Sequence, residues 1–148
     1  MKWRCITKSA SQTKRFGEVL AKQILKRISK QALVIGLTGN LGGGKTTFLQ
    51  GLAKGLGVRE KILSPTFVIS KRFRIQSEKF KNFYHFDCYR LNSAKEVLPL
   101  GFKEIIRNPE NIVAIEWADR IIEILPPSTI FLEFKFIDKK TREIWIRL

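Results

Sequence analysis

The sequence predicts an α/β fold, a mixed β-sheet with helices on both faces and antiparallel hairpins at its flanks. Three observations lead there. Apolar residues recur every four positions in one segment, run almost unbroken in others and alternate in the rest, so helices, doubly buried strands and half-exposed strands share one chain. One unbroken run passes directly into a glycine-rich stretch and then a helical segment, the strand–loop–helix order of an α/β unit. The length, 148 residues, suits a single domain spanning 1–148 that buries enough surface to need no disulfide or structural metal.

In chain order, residues 13–29 place Phe16, Leu20, Ile24 and Ile28 on one stripe among Lys and Arg, an amphipathic helix that Ser11 or Thr13 can cap. Residues 32–37 read as a strand buried on both faces, and residues 45–56 as a helix after the glycines. Residues 67–75 and 80–86 form an antiparallel hairpin around Gln76-Ser77-Glu78, with Phe67, Ile69, Phe73 and Ile75 on one face. Residues 93–97 and 103–107 are short helices bracketed by Pro99-Leu100-Gly101 and Asn108-Pro109. Residues 111–115 are a second buried strand ending in Glu116-Trp117. After Pro126-Pro127, residues 130–136 alternate, turn at Asp138-Lys139-Lys140, and resume alternation through Ile144, Ile146 and Leu148 as a second hairpin.

Composition excludes several classes. Apolar residues are 44% and charged residues 28%, ordinary globular usage rather than a disordered tail or fibre. No apolar run approaches the ~20 residues of a membrane helix, so no membrane association is expected. Charge is the outlier: 28 Lys and Arg against 13 Asp and Glu give +15, a field suited to nucleic acid, nucleotides or acidic protein surfaces, or a basic solvated surface. Cys5, Cys88 and a single His make no zinc pattern. Free thiols, with no secretory pattern at Met1-Lys2-Trp3-Arg4-Cys5, lead to an expected cytoplasmic location.

The chemistry is concentrated in Gly39-Asn40-Leu41-Gly42-Gly43-Gly44-Lys45-Thr46, which fits G-x-x-x-x-G-K-[ST] without a mismatch. Phosphate oxygens need several N–H donors converging on one point. Glycines let the backbone curl without obstructing side chains, and a helix starting there adds aligned amides and a positive dipole end. Lys45 then reaches the outer phosphates, and the Thr46 hydroxyl is placed for Mg²⁺. The flanking strand and helix supply the context that a chance glycine turn lacks.

Turnover needs a metal anchor and a group that orients water. Acids at the C-terminal ends of buried strands are the candidates, because ligands gather at that edge of an α/β sheet. Asp87 and Glu116 both qualify, and either could hold Mg²⁺ while the other positions water; each could equally be a solvated acid paired with a cation. Ser64-Pro65-Thr66 is either a γ-phosphate-sensing linker or an ordinary turn, the latter favoured by its residues alone. Trp117 reads as core before stacking platform, His85 as structural before catalytic, and Tyr89-Arg90 as phosphate contacts or sheet-edge cover.

Taken together, residues 39–47, Ser64-Pro65-Thr66-Phe67, His85-Phe86-Asp87-Cys88-Tyr89-Arg90-Leu91, Ile115-Glu116-Trp117, Asp119-Arg120 and Leu125-Pro126 resemble, in order and spacing, the bacterial TsaE (YjeE) family of small P-loop ATPases in tRNA threonylcarbamoyladenosine (t⁶A) synthesis. Thr13, Phe16 and Gly17 resemble that family's N-terminal helix. The resemblance implies a P-loop NTPase fold of unusual strand order and slow, Mg²⁺-dependent ATP hydrolysis. It implies work with TsaD- and TsaB-like proteins, which modify adenosine 37 of tRNAs reading codons that begin with A, with tRNA a further partner through that complex. By position it implies phosphate contacts from Gly39, Asn40, Leu41, Gly42, Gly43, Gly44, Lys45, Thr46 and Thr47, and Mg²⁺ held by Thr46 and Glu116. Asp87 would orient water with Lys45 as the catalytic cation, Ser64 and Thr66 would form a switch-like segment, and Trp117 would lie by the nucleotide or a partner. This sequence departs from the family's usual residues at Asn40 (usually Asp), Gly43 (usually Ala) and Asp119 (usually Glu), and its charge is high for the family.

Two other readings are weighed against this one. A small-molecule P-loop phosphotransferase needs an Arg-rich lid and an acceptor pocket, for which no clear segment stands out. A basic nucleic-acid-binding NTPase module fits the charge, but the aromatics alternate on core faces rather than interleaving with Arg.

Overall fold

The computed structural model describes residues 1–40, 42–63 and 69–148. Strands β1 (Lys2–Thr7), β2 (Leu33–Gly39), β3 (Ser70–Arg74), β4 (Asn82–Asp87), β5 (Asn111–Glu116), β6 (Ile130–Phe136) and β7 (Arg142–Arg147) form one sheet in the order β1-β7-β6-β2-β5-β4-β3. The centre is parallel: β2 pairs with β5 and β6, and β5 with β4. The flanks are antiparallel, β3 on β4 at one side and β7 between β6 and β1 at the other. The mixed sheet and both hairpins thus match the expectation.

Side-chain alternation along the central strands feeds two separate cores. Ile35, Leu37, Phe83, Ile112, Ala114 and Leu132 point to the face covered by helices α1 (Ala10–Ile24) and α2 (Lys45–Gly55). Val34, Phe86, Val113 and Ile115 point to the other face, covered by α3 (Phe102–Arg107) and two 3₁₀ segments, Ala94–Leu100 and Ala118–Ile124. Every residue of β5 is buried, as a strand sandwiched between two helical layers must be. Helices α1 and α2 meet backbone to backbone: a Cβ on Gly17 would overlap the Phe48 carbonyl, and one on Gly51 the Lys14 carbonyl. None of the described helices is long and apolar enough to cross a membrane.

Several boundaries differ from the sequence reading. Helix α1 starts earlier, because Ser9 rather than Ser11 or Thr13 caps it, its Oγ accepting from the Gln12 amide at 3.1 Å. It also ends before Ile28, which is 88% exposed, so the four-residue stripe outlasts the helix. The 93–97 helix is a longer 3₁₀ segment that includes Pro99, opened by a Ser93–Glu96 capping box. Ile69 packs with the second core, opposite Phe73 and Ile75 in the first; it lies ahead of β3, where the strand's alternation does not yet apply. Phe67 of that same reading lies outside the described residues. Strand β1 was not anticipated: its pattern is mostly exposed, and only pairing with β7 defines it.

Candidate functional site

Strand β2 ends at Gly39 and the chain curls over to α2. Gly39 has φ +122° and lies so close to β6 that a Cβ would collide with the Phe134 carbonyl; Gly42 and Gly44 also have left-handed φ, at +78° and +96°. Glycine meets both demands at once, a reversed backbone and a close approach. The amide of Gly43 donates to the Asn40 carbonyl at 3.2 Å, and α2 begins at Lys45 with no side-chain cap, leaving its first amides directed at the loop.

Lys45 is 5% exposed. Its Nζ donates to the carbonyls of Gly39 at 2.6 Å and Asn40 at 2.9 Å and sits 4.5 Å from the centre of the Trp117 ring. Burial pulls its pKa below the usual lysine value, against the opposing pull of Glu116, Asp87 and Asp119. The Thr46 hydroxyl donates to Oε1 of Glu116 at 3.2 Å, and Oε2 of Glu116 is hydrogen-bonded to Nε2 of His85 at 2.7 Å. Glu116 and His85 are 3% and 1% exposed. Residues 85 and 87 of β4 share a sheet face with residues 114 and 116 of β5, and the register sets Asp87 beside Glu116. Asp87 accepts from the Tyr89 amide at 3.0 Å.

These groups border a cavity of about 360 Å³, lined by Gly42, Gly43, Gly44, Lys45, Thr46 and Thr47 from the loop and helix, by Asp87, Tyr89, Glu116 and Trp117 from the strand ends, and by Arg142 of β7. The volume is within the range of small-molecule pockets. Trp117 has φ +58°, rare for so large a residue, and this reversal at the end of β5 lays its ring over Lys45. Tyr89 packs against it at 5.0 Å between ring centres, with the Arg120 guanidinium over both rings.

The structure therefore gathers Lys45, Thr46, Thr47, Asp87, Glu116 and Trp117 with the loop glycines around one cavity. Gly39 and Asn40 instead border a neighbouring cavity of about 340 Å³ and reach the first through the carbonyls that hold Lys45. Leu41, Ser64 and Thr66 lie outside the described residues. Two further residues reach these groups. His85, read as structural, is bonded to one of the candidate acids; its place two residues before Asp87 in an alternating strand was the available signal. Arg142 carries no local signal at all, because only the hairpin register brings it to the loop.

Residues 7–144 match the family described as Threonylcarbamoyl adenosine biosynthesis protein TsaE. The tRNA threonylcarbamoyladenosine biosynthesis protein TsaE of Treponema pallidum is 34% identical over 143 residues, covering 97% of this chain and 98% of that one. The protein of the same name from Bacillus subtilis is also 34% identical, over 144 residues, covering 97% and 83%. The crystal structure of Bacillus subtilis YdiB superposes with a TM-score of 0.74 at 29% identity, covering 99% of this chain and 84% of that one.

Proposed function

The chain belongs to the TsaE family of threonylcarbamoyl adenosine biosynthesis proteins, and on that premise we propose that it is a slow, Mg²⁺-dependent ATPase that serves t⁶A formation on tRNA together with TsaD- and TsaB-like proteins. The observation that carries the reading is the contact of Thr46 with Glu116 beside the buried Lys45, at the start of a helix preceded by a glycine curl. That arrangement sets a cation, two hard oxygen donors and a row of amides around one cavity, the donor types a nucleotide polyphosphate requires.

The oxygen donors suit Mg²⁺, which is ordinarily bound through one or two protein oxygens plus phosphates and water. Thr46 and Glu116 would hold it, and it would neutralise charge on the outer phosphates. His85 fixes the Glu116 carboxylate, as a buried partner does when it orients a ligand. Lys45 exchanges its carbonyl partners for phosphate oxygens, which bind it better because they are charged. Asp87, beside Glu116 and lining the cavity, is the group placed to orient water toward the terminal phosphate.

Two measurements test this together. Calorimetry with ADP or ATP and Mg²⁺ should register binding in the wild type, and phosphate release should be weak without partners. A pull-down with TsaD- and TsaB-like subunits should show association that depends on ATP and Mg²⁺. Absence of nucleotide binding sinks the ATPase reading, and nucleotide-independent association sinks the coupling to partners.

A further inference from the structure

We infer that strand β1 is a docking edge for an extended segment of a protein partner in which apolar and acidic residues alternate. The inference is independent of the nucleotide reading above. β1 ends the sheet order, so among the described residues only β7 pairs with it, in one unbroken register from Lys2 to Thr7. The Leu148 amide donates to the Met1 carbonyl at 3.1 Å, which makes Met1–Leu148 a hydrogen-bonded pair. Antiparallel pairs alternate, so Trp3, Cys5 and Thr7 also bond to β7, and the N–H and C=O groups of Lys2, Arg4 and Ile6 face outward. Such a row of backbone groups is a ready template for another strand.

Exposed edges are usually blocked by charged side chains, bulges or proline. β1 has neither proline nor bulge, and its two cations lean away from the edge, back over β7. Lys2 Nζ lies 4.6 Å and Arg4 Cζ 5.8 Å from the centre of the Trp145 ring, and Arg4 is bonded to the Glu143 carboxylate at 2.8 Å. The other face of the same strand is apolar. Trp3, 45% exposed, lines a cleft of about 340 Å³ with Leu20 and Ile24 of α1 and Ile146 and Leu148 beyond it.

The two faces dictate the partner's pattern, because side chains of an added strand alternate as those of β1 do. Residues beside Trp3 meet the apolar cleft. Residues beside Lys2 and Arg4 meet cations: β1 and β7 together carry Lys2, Arg4, Arg142 and Arg147 against one acid, Glu143. Carboxylates suit that face. A second copy of this chain does not, because antiparallel pairing through the outward groups brings Lys2 and Arg4 of both copies onto one face, in a chain already at +15.

The test is NMR of the full chain titrated with a short peptide alternating valine and glutamate, compared with one alternating valine and lysine. The glutamate peptide should move the amide resonances of Lys2, Arg4 and Ile6 and the indole resonance of Trp3, and the lysine peptide should bind roughly ten-fold more weakly. Ile6→Pro removes one outward N–H without touching the bonds to β7 or any charge, and should weaken the glutamate peptide roughly ten-fold. If that variant does not fold, as judged by circular dichroism, the two peptides on the wild type decide. Unmoved β1 resonances, equal binding of both peptides, or wild-type peptide affinity in folded Ile6→Pro overturns the inference. So do β1 resonances that shift with protein concentration alone, because a second copy then occupies the edge. None of these outcomes bears on nucleotide binding, which calorimetry reads separately.

Discussion

On one side of the cavity, Lys45, Glu116 and His85 are deeply buried and, with Thr46, already hydrogen-bonded to one another or to loop carbonyls. On the other, Arg142 arrives from an antiparallel hairpin, held at its back edge by carbonyls and leaving a buried Nε unpaired among the described residues. The first wall stands on the ends of parallel strands covered on both faces, where register alone fixes Asp87 beside Glu116. The second stands on flanking strands that are partly exposed. A wall whose polar groups are satisfied before any ligand arrives must exchange bonds on binding; a wall with an idle donor gains one outright.

The largest effect should come from the first wall. Lys45→Ala removes a cation with two donated bonds and should weaken Mg²⁺–ADP binding roughly a hundred-fold or more, read by calorimetry. A small loss there, with a larger one in Arg142→Gln, would invert the comparison. Asp87→Ala should leave nucleotide affinity close to wild type while cutting phosphate release by roughly a hundred-fold, the scale of a positioned acid–base group; unchanged turnover would remove Asp87 from the chemistry.

His85→Gln sharpens the contrast further, because it disturbs the Glu116 carboxylate without touching the loop. Affinity should fall about ten- to a hundred-fold in the presence of Mg²⁺, as for other buried partners of ligands, and hardly at all in EDTA. An equal loss in both conditions would mean that His85 only supports the fold.

The smallest effect concerns rigidity. Cys88 follows Asp87, is fully buried, and its amide donates to the Glu116 carbonyl at 3.0 Å; burial pushes its thiol up to about 12. At pH 8 the thiolate needed for attack is scarce, so an aromatic disulfide reagent should label Cys88 slowly, and faster as pH rises toward that value. Rapid labelling at pH 8 would show that the first wall opens easily.

Much of this site was legible in the sequence because its parts are local. The glycine loop is specified by eight consecutive residues, and Asp87 and Glu116 by their place at the ends of apolar strands, so spacing alone put them on one edge of a sheet. Helix ends were read less well: Ser9 won the cap of α1 over Ser11 and Thr13 by backbone geometry that no hydroxyl pattern discloses. Strand β1 escaped notice because an exposed edge strand has little burial pattern to show.

By itself the sequence determined the α/β class, the curl, the two acids and the family, since each follows from neighbouring residues or from their order along the chain. Only the tertiary structure decided that His85 bonds Glu116, that Trp117 turns back over Lys45, and that Arg142 leans on Gly44. Each of those contacts joins residues separated by many positions and set by strand register, where a slip of one residue would turn every side chain to the opposite face.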